Sequence, residues 1–186
     1  SEVACALFDA IVQLRFTSVD LLPTGSVLSL PSLRALTLTN CRNQFAASGR
    51  QCTSLRVLHV KSCTDIRDDS FLRRVPSLKR LHVESDVRFS FSPADEQPHA
   101  SLRELTLHGL FDNLASIGKR TPSLAEASIT THDEDTTGVS AFLDSIADRA
   151  RSLNLKFGPV PGSQPTTFSI DTSFPKLESF CVNTRN

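Results

Sequence analysis

A short apolar phrase, Leu-x-x-Leu-x-Leu-x-x-Cys in its fullest form, returns along this chain at intervals of about 22 to 27 residues. A period of that length constrains the fold more than any other feature, because one repeat is too short to bury its own apolar face and must share a core with its neighbours. Copies run through Leu33, Leu36, Leu38 and Cys41, then Leu55, Leu58, Val60 and Cys63, then Leu78, Leu81 and Val83, then Leu102, Leu105 and Leu107. Leu124, Ala127 and Ile129 make a fifth, Leu177, Phe180 and Val182 a terminal one, and Ile11, Leu14 and Phe16 a degenerate leading one. One further copy has two alignments: Ala150, Leu153 and Leu155 fit the template, whereas the phrase Ser152-Leu153 sets the register three residues later. Most copies are preceded by Pro-Ser-Leu or a near variant, as at Pro31-Ser32-Leu33, Pro76-Ser77-Leu78 and Pro122-Ser123-Leu124.

These residues resemble the leucine-rich repeat family over positions 8 to 186. The resemblance implies an α/β solenoid, a horseshoe with a parallel β-sheet on its concave face and helices or irregular returns on its convex face. The stretch from Cys52 through Leu55, Leu58, Val60 and Cys63 to Asp69 is similar to the cysteine-containing subtype found in the substrate-recognition parts of F-box ubiquitin-ligase subunits. We therefore expect one domain over residues 1–186, about eight repeats. Few residues follow Val182 and none forms a polar cap, so the expectation is that the chain is a fragment of a longer array, with further repeats of the same chain among its neighbours.

Composition narrows the function classes. Twenty basic residues balance twenty acidic ones, which removes the overall attraction that phosphate-binding proteins use and argues against nucleic acid. No apolar run approaches a membrane span, and the opening residues lack the basic start of a signal peptide. Five cysteines without a paired cluster suit a reducing compartment, so a cytoplasmic, intracellular location is expected. Cys41 and Cys63 fall at equivalent positions of adjacent repeats, near disulfide distance, and of the two readings, a bridge or two small buried thiols filling the ladder, the second is expected.

The returns differ in kind. Asp69-Ser70-Phe71-Leu72 reads as an acidic cap entering an apolar turn, and Asp112 to Ile117 as a helix ended by Gly118. The strongest helical pattern runs from Val139 to about Arg151. Residues 85–100 and 158–173 contain proline breaks and read as irregular, while Asp133-Glu134-Asp135 reads as a solvated acidic loop.

Catalytic patterns are missing: there is no Gly-x-Ser-x-Gly, His-Glu-x-x-His, phosphate-cradling glycine loop or Cys-x-x-Cys. We expect a chain that is not an enzyme and takes no cofactor and no metal. Repeat geometry instead directs alternate strand residues onto the concave wall, where His59, Lys61, Arg80, His82, Glu84, Glu104 and His108 cluster across adjacent repeats. This is the candidate partner-binding surface, suited to an acidic or mixed-charge protein segment, with histidines making the contact pH-sensitive. The expected function is a non-catalytic protein–protein interaction module, with substrate recognition for a ubiquitin ligase implied by the family resemblance. Two alternatives are a binder of nucleic acid or another anionic ligand through the row Arg34, Arg56, Lys79, Arg103 and Arg151, and a structural or regulatory arm of a larger protein.

Overall fold

A computed structural model describes residues 10–20, 27–42, 51–64, 66, 68–93, 97–131, 137–158 and 170–184. The Leu-x-Leu phrases become strands because alternating side chains can bury one face and wet the other. They are Gln13–Thr17 (β1), Ala35–Thr39 (β2), Val57–Lys61 (β3), Arg80–Ser90 (β4), Glu104–Asp112 (β5), Glu126–Thr131 (β6), Ser152–Phe157 (β7) and Ser179–Thr184 (β8). They form one all-parallel sheet in strict sequence order, each strand beginning 22 to 27 residues after the last. The protein is therefore α/β with a repeated strand-and-return unit.

Register follows the phrase. Leu14, Leu36, Leu58, Leu81, Leu105, Ala127, Leu153 and Phe180 form one continuous row, and Phe16, Leu38, Val60, Val83, Leu107, Ile129, Leu155 and Val182 form the next. From Leu36 to Leu155 both rows are buried. The ambiguous copy resolves in favour of Ala150, Leu153 and Leu155, since Leu153 pairs with Ala127 and Ala150 is buried in the core.

A repeated hydrogen-bond device joins the rungs. The N–H groups of Arg34 and Ala35 both donate to the Val12 carbonyl, those of Arg56 and Val57 to Arg34, and those of Lys79 and Arg80 to Arg56. The same fork recurs down to Glu178 and Ser179, which donate to Arg151. The first three strands end on a left-handed residue: Ser18, Asn40 and Ser62 have φ of 54°, 51° and 49°. Each still donates its N–H to the neighbouring rung, to Thr39, Lys61 and Glu84 respectively.

β4 and β5 depart from that pattern. The stretch expected to return irregularly from Ser85 instead continues as strand to Ser90, with a register shift between Ser85 and Phe89. Phe89 and Phe91 are buried there and pack with Phe111 at ring-centroid distances of 5.2 to 6.3 Å, so aromatic burial replaces the early turn. Gly109 permits this: its φ is +138°, and a Cβ would overlap the Ser85 carbonyl oxygen.

The described returns contain a 3-10 helix at Ser70–Arg74 and α-helices at Leu114–Arg120 (α1) and Thr137–Ile146 (α2). Gly118 does not end α1 but sits inside it, where a Cβ would collide with the Ser145 hydroxyl and press on Phe142 of α2. Its role is to let two helices approach. α2 stops at Ile146, short of the expected Arg151, because the chain must turn to place Ala150 in the core and enter β7. Arg149 secures that turn by donating to the Gly118 carbonyl at 2.6 Å and the Thr121 carbonyl at 3.2 Å. The acidic segment Asp133-Glu134-Asp135 and most of 158–173 lie outside the described residues. Among the described residues, no helix is long and apolar enough to cross a membrane.

Candidate functional site

The seven candidate residues come together on the open face of β3, β4 and β5, the side turned away from the leucine core. Parallel register sets them on a grid: Val57, Arg80 and Glu104 in the first row, His59, His82 and Thr106 in the second, Lys61, Glu84 and His108 in the third. His59, Lys61, Arg80 and His108 are exposed, while His82, Glu84 and Glu104 are half-buried. The residues immediately behind them, Leu58, Val60, Leu81, Val83, Leu105 and Leu107, are buried, so a packed layer holds the grid. Val57 and Thr106 belong to the patch as well. Selecting charged and imidazole groups from the sequence passed over them, although the two-residue period identifies them.

The charges on this surface largely answer one another. Lys61 Nζ lies 2.9 Å from Glu84, and Arg80 Nε lies 2.7 Å from the Glu104 carboxylate. Exposed pairs of this kind contribute about 0–1 kcal/mol each, so a partner carrying its own charges can replace them at little cost. Glu126, exposed on β6, stands next to Glu104 and extends the acidic side of the first row.

The two central imidazoles are in contact, with ring centroids 5.3 Å apart and planes tilted by 36°. Burial holds His82 below the ordinary histidine value, and the neighbouring His59 pushes in the same direction. His108 and Lys61 add to that shift while Glu84 opposes it. His82 is thus biased toward the neutral imidazole, which can both donate and accept a hydrogen bond, beside the Lys61–Glu84 pair. No group of three or more His, Cys, Asp or Glu side chains suited to a metal occurs among the described residues.

The basic row is also real in geometry. Arg34, Arg56, Lys79, Arg103 and Arg151 occupy equivalent positions at the strand entrances, as the backbone forks show. Arg56 is turned back on the fold, donating to the Thr53 carbonyl at 2.7 Å and the Ser77 carbonyl at 3.2 Å, and Arg151 faces Glu178 at 3.7 Å. Ala125 interrupts the series between Arg103 and Arg151. Part of the row therefore serves the loops rather than the solvent.

Cys41 and Cys63 are free and buried, each thiol directed at the carbonyl two residues before it, Thr39 at 3.3 Å and Lys61 at 3.4 Å. Burial pushes the Cys63 thiol up, so it stays protonated at neutral pH and fills the ladder as a small apolar group.

One polar constellation has no counterpart in the sequence reading. Asp69 was expected to cap the helix at Ser70, yet it makes no cap bond, and Asp68 accepts from the Ser70 N–H instead. The buried Asp69 carboxylate accepts from the Ser92 N–H at 2.9 Å and faces Arg120 Nη2 at 2.8 Å. Arg120 also donates to the Ser92 carbonyl at 3.1 Å and to His99 Nε2 at 2.6 Å. Residues from three successive returns meet here, and no local pattern marks them as neighbours.

Comparison of the chain with protein-family models, with curated proteins and with solved structures returned no match.

Proposed function

We propose that this chain is a leucine-rich repeat horseshoe that acts as a non-catalytic, intracellular binding module. In this reading the grid of His59, Lys61, Arg80, His82, Glu84, Glu104 and His108 receives a segment of a protein partner. The observation that carries the proposal is the contiguity of that polar grid over a fully packed layer: three adjacent strands present it in register on the open face. Extended parallel faces of stacked repeats are suited to this use, since they offer a rigid surface without a deep pocket. Mutually satisfied ion pairs favour a mixed-charge partner segment, which exchanges its own carboxylates and ammonium groups for those of Lys61–Glu84 and Arg80–Glu104. The free thiols at Cys41, Cys52, Cys63 and Cys181 support a reducing compartment.

The cysteine-type repeat extends this proposal to a partner handed over for ubiquitin transfer. The anionic-ligand reading has weaker support, because Arg56 is turned back onto the Thr53 and Ser77 carbonyls and Ala125 interrupts the row. The test is charge reversal at Lys61 and Arg80 against reversal at Lys119 on α1, with partners recovered by affinity capture and circular dichroism recorded for every variant. Loss of the captured partner from the grid variants alone is expected. Loss from Lys119→Glu with binding retained by Lys61→Glu and Arg80→Glu would overturn the open-face assignment.

A further inference from the structure

We propose, resting on the open-face reading above, that β6 and β7 select a mixed-charge signature in the partner segment: a basic and an acidic residue four positions apart in an extended stretch, the cation over Glu126 and the carboxylate over Lys156. Six permanently charged side chains stand on the open faces of β3 to β7, namely Lys61, Arg80, Glu84, Glu104, Glu126 and Lys156. Four of them answer one another as Lys61–Glu84 and Arg80–Glu104. Glu126 and Lys156 are exposed, and neither makes an ion pair among the described residues, although they stand on adjacent strands.

Register explains why these two stay apart. Glu126 is level with Ser152, and Thr130 with Lys156, so the charges lie two rows from each other, four residues along the strand direction. At about 3.3 Å per residue that is roughly 13 Å, too far for two side chains that stand off the sheet to meet. The floor between them is short and neutral. Ser128 and Asn154 fill the middle row, Ser152 and Thr130 the other two corners, and all four are half-buried, so the charged tips rise above a shallow polar bed. Ala127, Ile129, Leu153 and Leu155 are buried beneath it and fix the spacing.

An extended segment has the same rise per residue as the strands under it, and its residues i, i+2 and i+4 face one side. Laid along β6 and β7, it meets Glu126 at one end, the Ser128–Asn154 row in the middle and Lys156 at the other end. A cation, a small hydrogen-bonding residue and a carboxylate at those positions match the three rows. In a helix four residues advance only about 6 Å, so the four-residue spacing specifies an extended partner.

The probes are terminally blocked nine-residue peptides of Ser and Thr that carry, at the third and seventh positions, Lys and Glu, Glu and Lys, two Lys or two Glu. A fifth peptide keeps Lys and Glu but sets them two positions apart. Titration into the isotope-labelled chain, followed through its amide shifts, measures each affinity. One of the two mixed-charge peptides should bind tightest and shift Ser128 and Asn154, with the closer-spaced peptide roughly fivefold weaker, the loss of one exposed pair. Glu126→Lys should transfer the preference to the two-Glu peptide and Lys156→Glu to the two-Lys peptide, whichever way the segment runs. Should a reversal variant lose its circular dichroism, Glu126→Gln and Lys156→Gln serve in its place, each expected to abolish the preference for mixed charge. Equal binding of all five peptides, no binding of any, or an unchanged preference in the Glu126 and Lys156 variants overturns the inference. Binding that is weakened by Lys61→Glu and Arg80→Glu but not by the Glu126 and Lys156 variants leaves the open-face reading standing and removes its assignment to β6 and β7. Amide shifts confined to α1 remove both.

Discussion

Asp69 and Arg120 lie fifty-one residues apart in sequence, yet Arg120 Nη2 sits 2.8 Å from Asp69 Oδ2, and both side chains are removed from water at 0% and 2% exposure. The pair ties the 3-10 helix before β4 to the last turn of α1. Ser92 and His99 stand beside the pair, and the His99 N–H also donates to the Arg120 carbonyl at 2.6 Å, so charge-assisted and backbone hydrogen bonds together join three successive returns.

Removing one partner should cost far more than removing both. Arg120→Met leaves a buried carboxylate without its cation, and Asp69→Leu leaves the guanidinium, each expected to destabilise by about 3–5 kcal/mol. The double variant should recover much of that loss. Urea unfolding of the two single variants and the double variant checks it, and strictly additive losses would mean the two side chains act independently.

Truncating the core rows should also be severe. Leu58 and Leu81 are 0% and 2% exposed and pair directly across β3 and β4, so Leu58→Ala or Leu81→Ala should each cost about 2–5 kcal/mol. Chemical denaturation measures this, and losses below about 1 kcal/mol at both sites would contradict their place in the packed layer.

At Gly109 the expected effect is conformational. Alanine there must adopt a φ of +138° and push its Cβ against the Ser85 carbonyl oxygen, so Gly109→Ala should destabilise by about 1–3 kcal/mol. Thermal unfolding reports the change. Serine at the neighbouring position His108, whose backbone needs no such freedom, is the control and should fold with near wild-type stability.

Histidine 82 predicts a direction with pH. Its folded-state value is held below the ordinary one, first by burial and then by His59. The unfolded chain, with an ordinary value of about 6.5, therefore takes up the proton first. The stability linked to neutral His82 is complete above about pH 6.5 and declines as pH falls from there toward the lower folded-state value. Urea midpoints measured across that window should fall on acidification for the wild-type chain and fall less for His82→Gln. Parallel curves for the two proteins would remove His82 from the account.

How much of this was legible beforehand depends on the reach of the interaction. The inward rows Leu36–Leu58–Leu81–Leu105 and the open-face grid follow from two short-range facts, a two-residue side-chain alternation and a recurring phrase, and both were read in place. The copy near Ala150 stayed open between two alignments in the sequence, and the pairing of Leu153 with Ala127 decided it. The returns were read less well because their form is set by what they meet. Gly118 looked like a helix stop from its own propensity, but its neighbours across space are Ser145 and Phe142 of another helix. Ser85 to Ser90 looked like a break, and the burial of Phe89 and Phe91 kept it a strand.

The sequence by itself determined the period, the parallel order, the residues of the core rows and those of the polar grid, because in a stacked array each repeat sees the same neighbours at the same offset. Only the tertiary structure decided that Lys61 meets Glu84 and Arg80 meets Glu104, that two imidazoles touch, and that Asp69, Ser92, His99 and Arg120 converge behind the sheet. Those contacts join residues of different repeats through side-chain reach and burial, quantities that have no periodic signature along the chain.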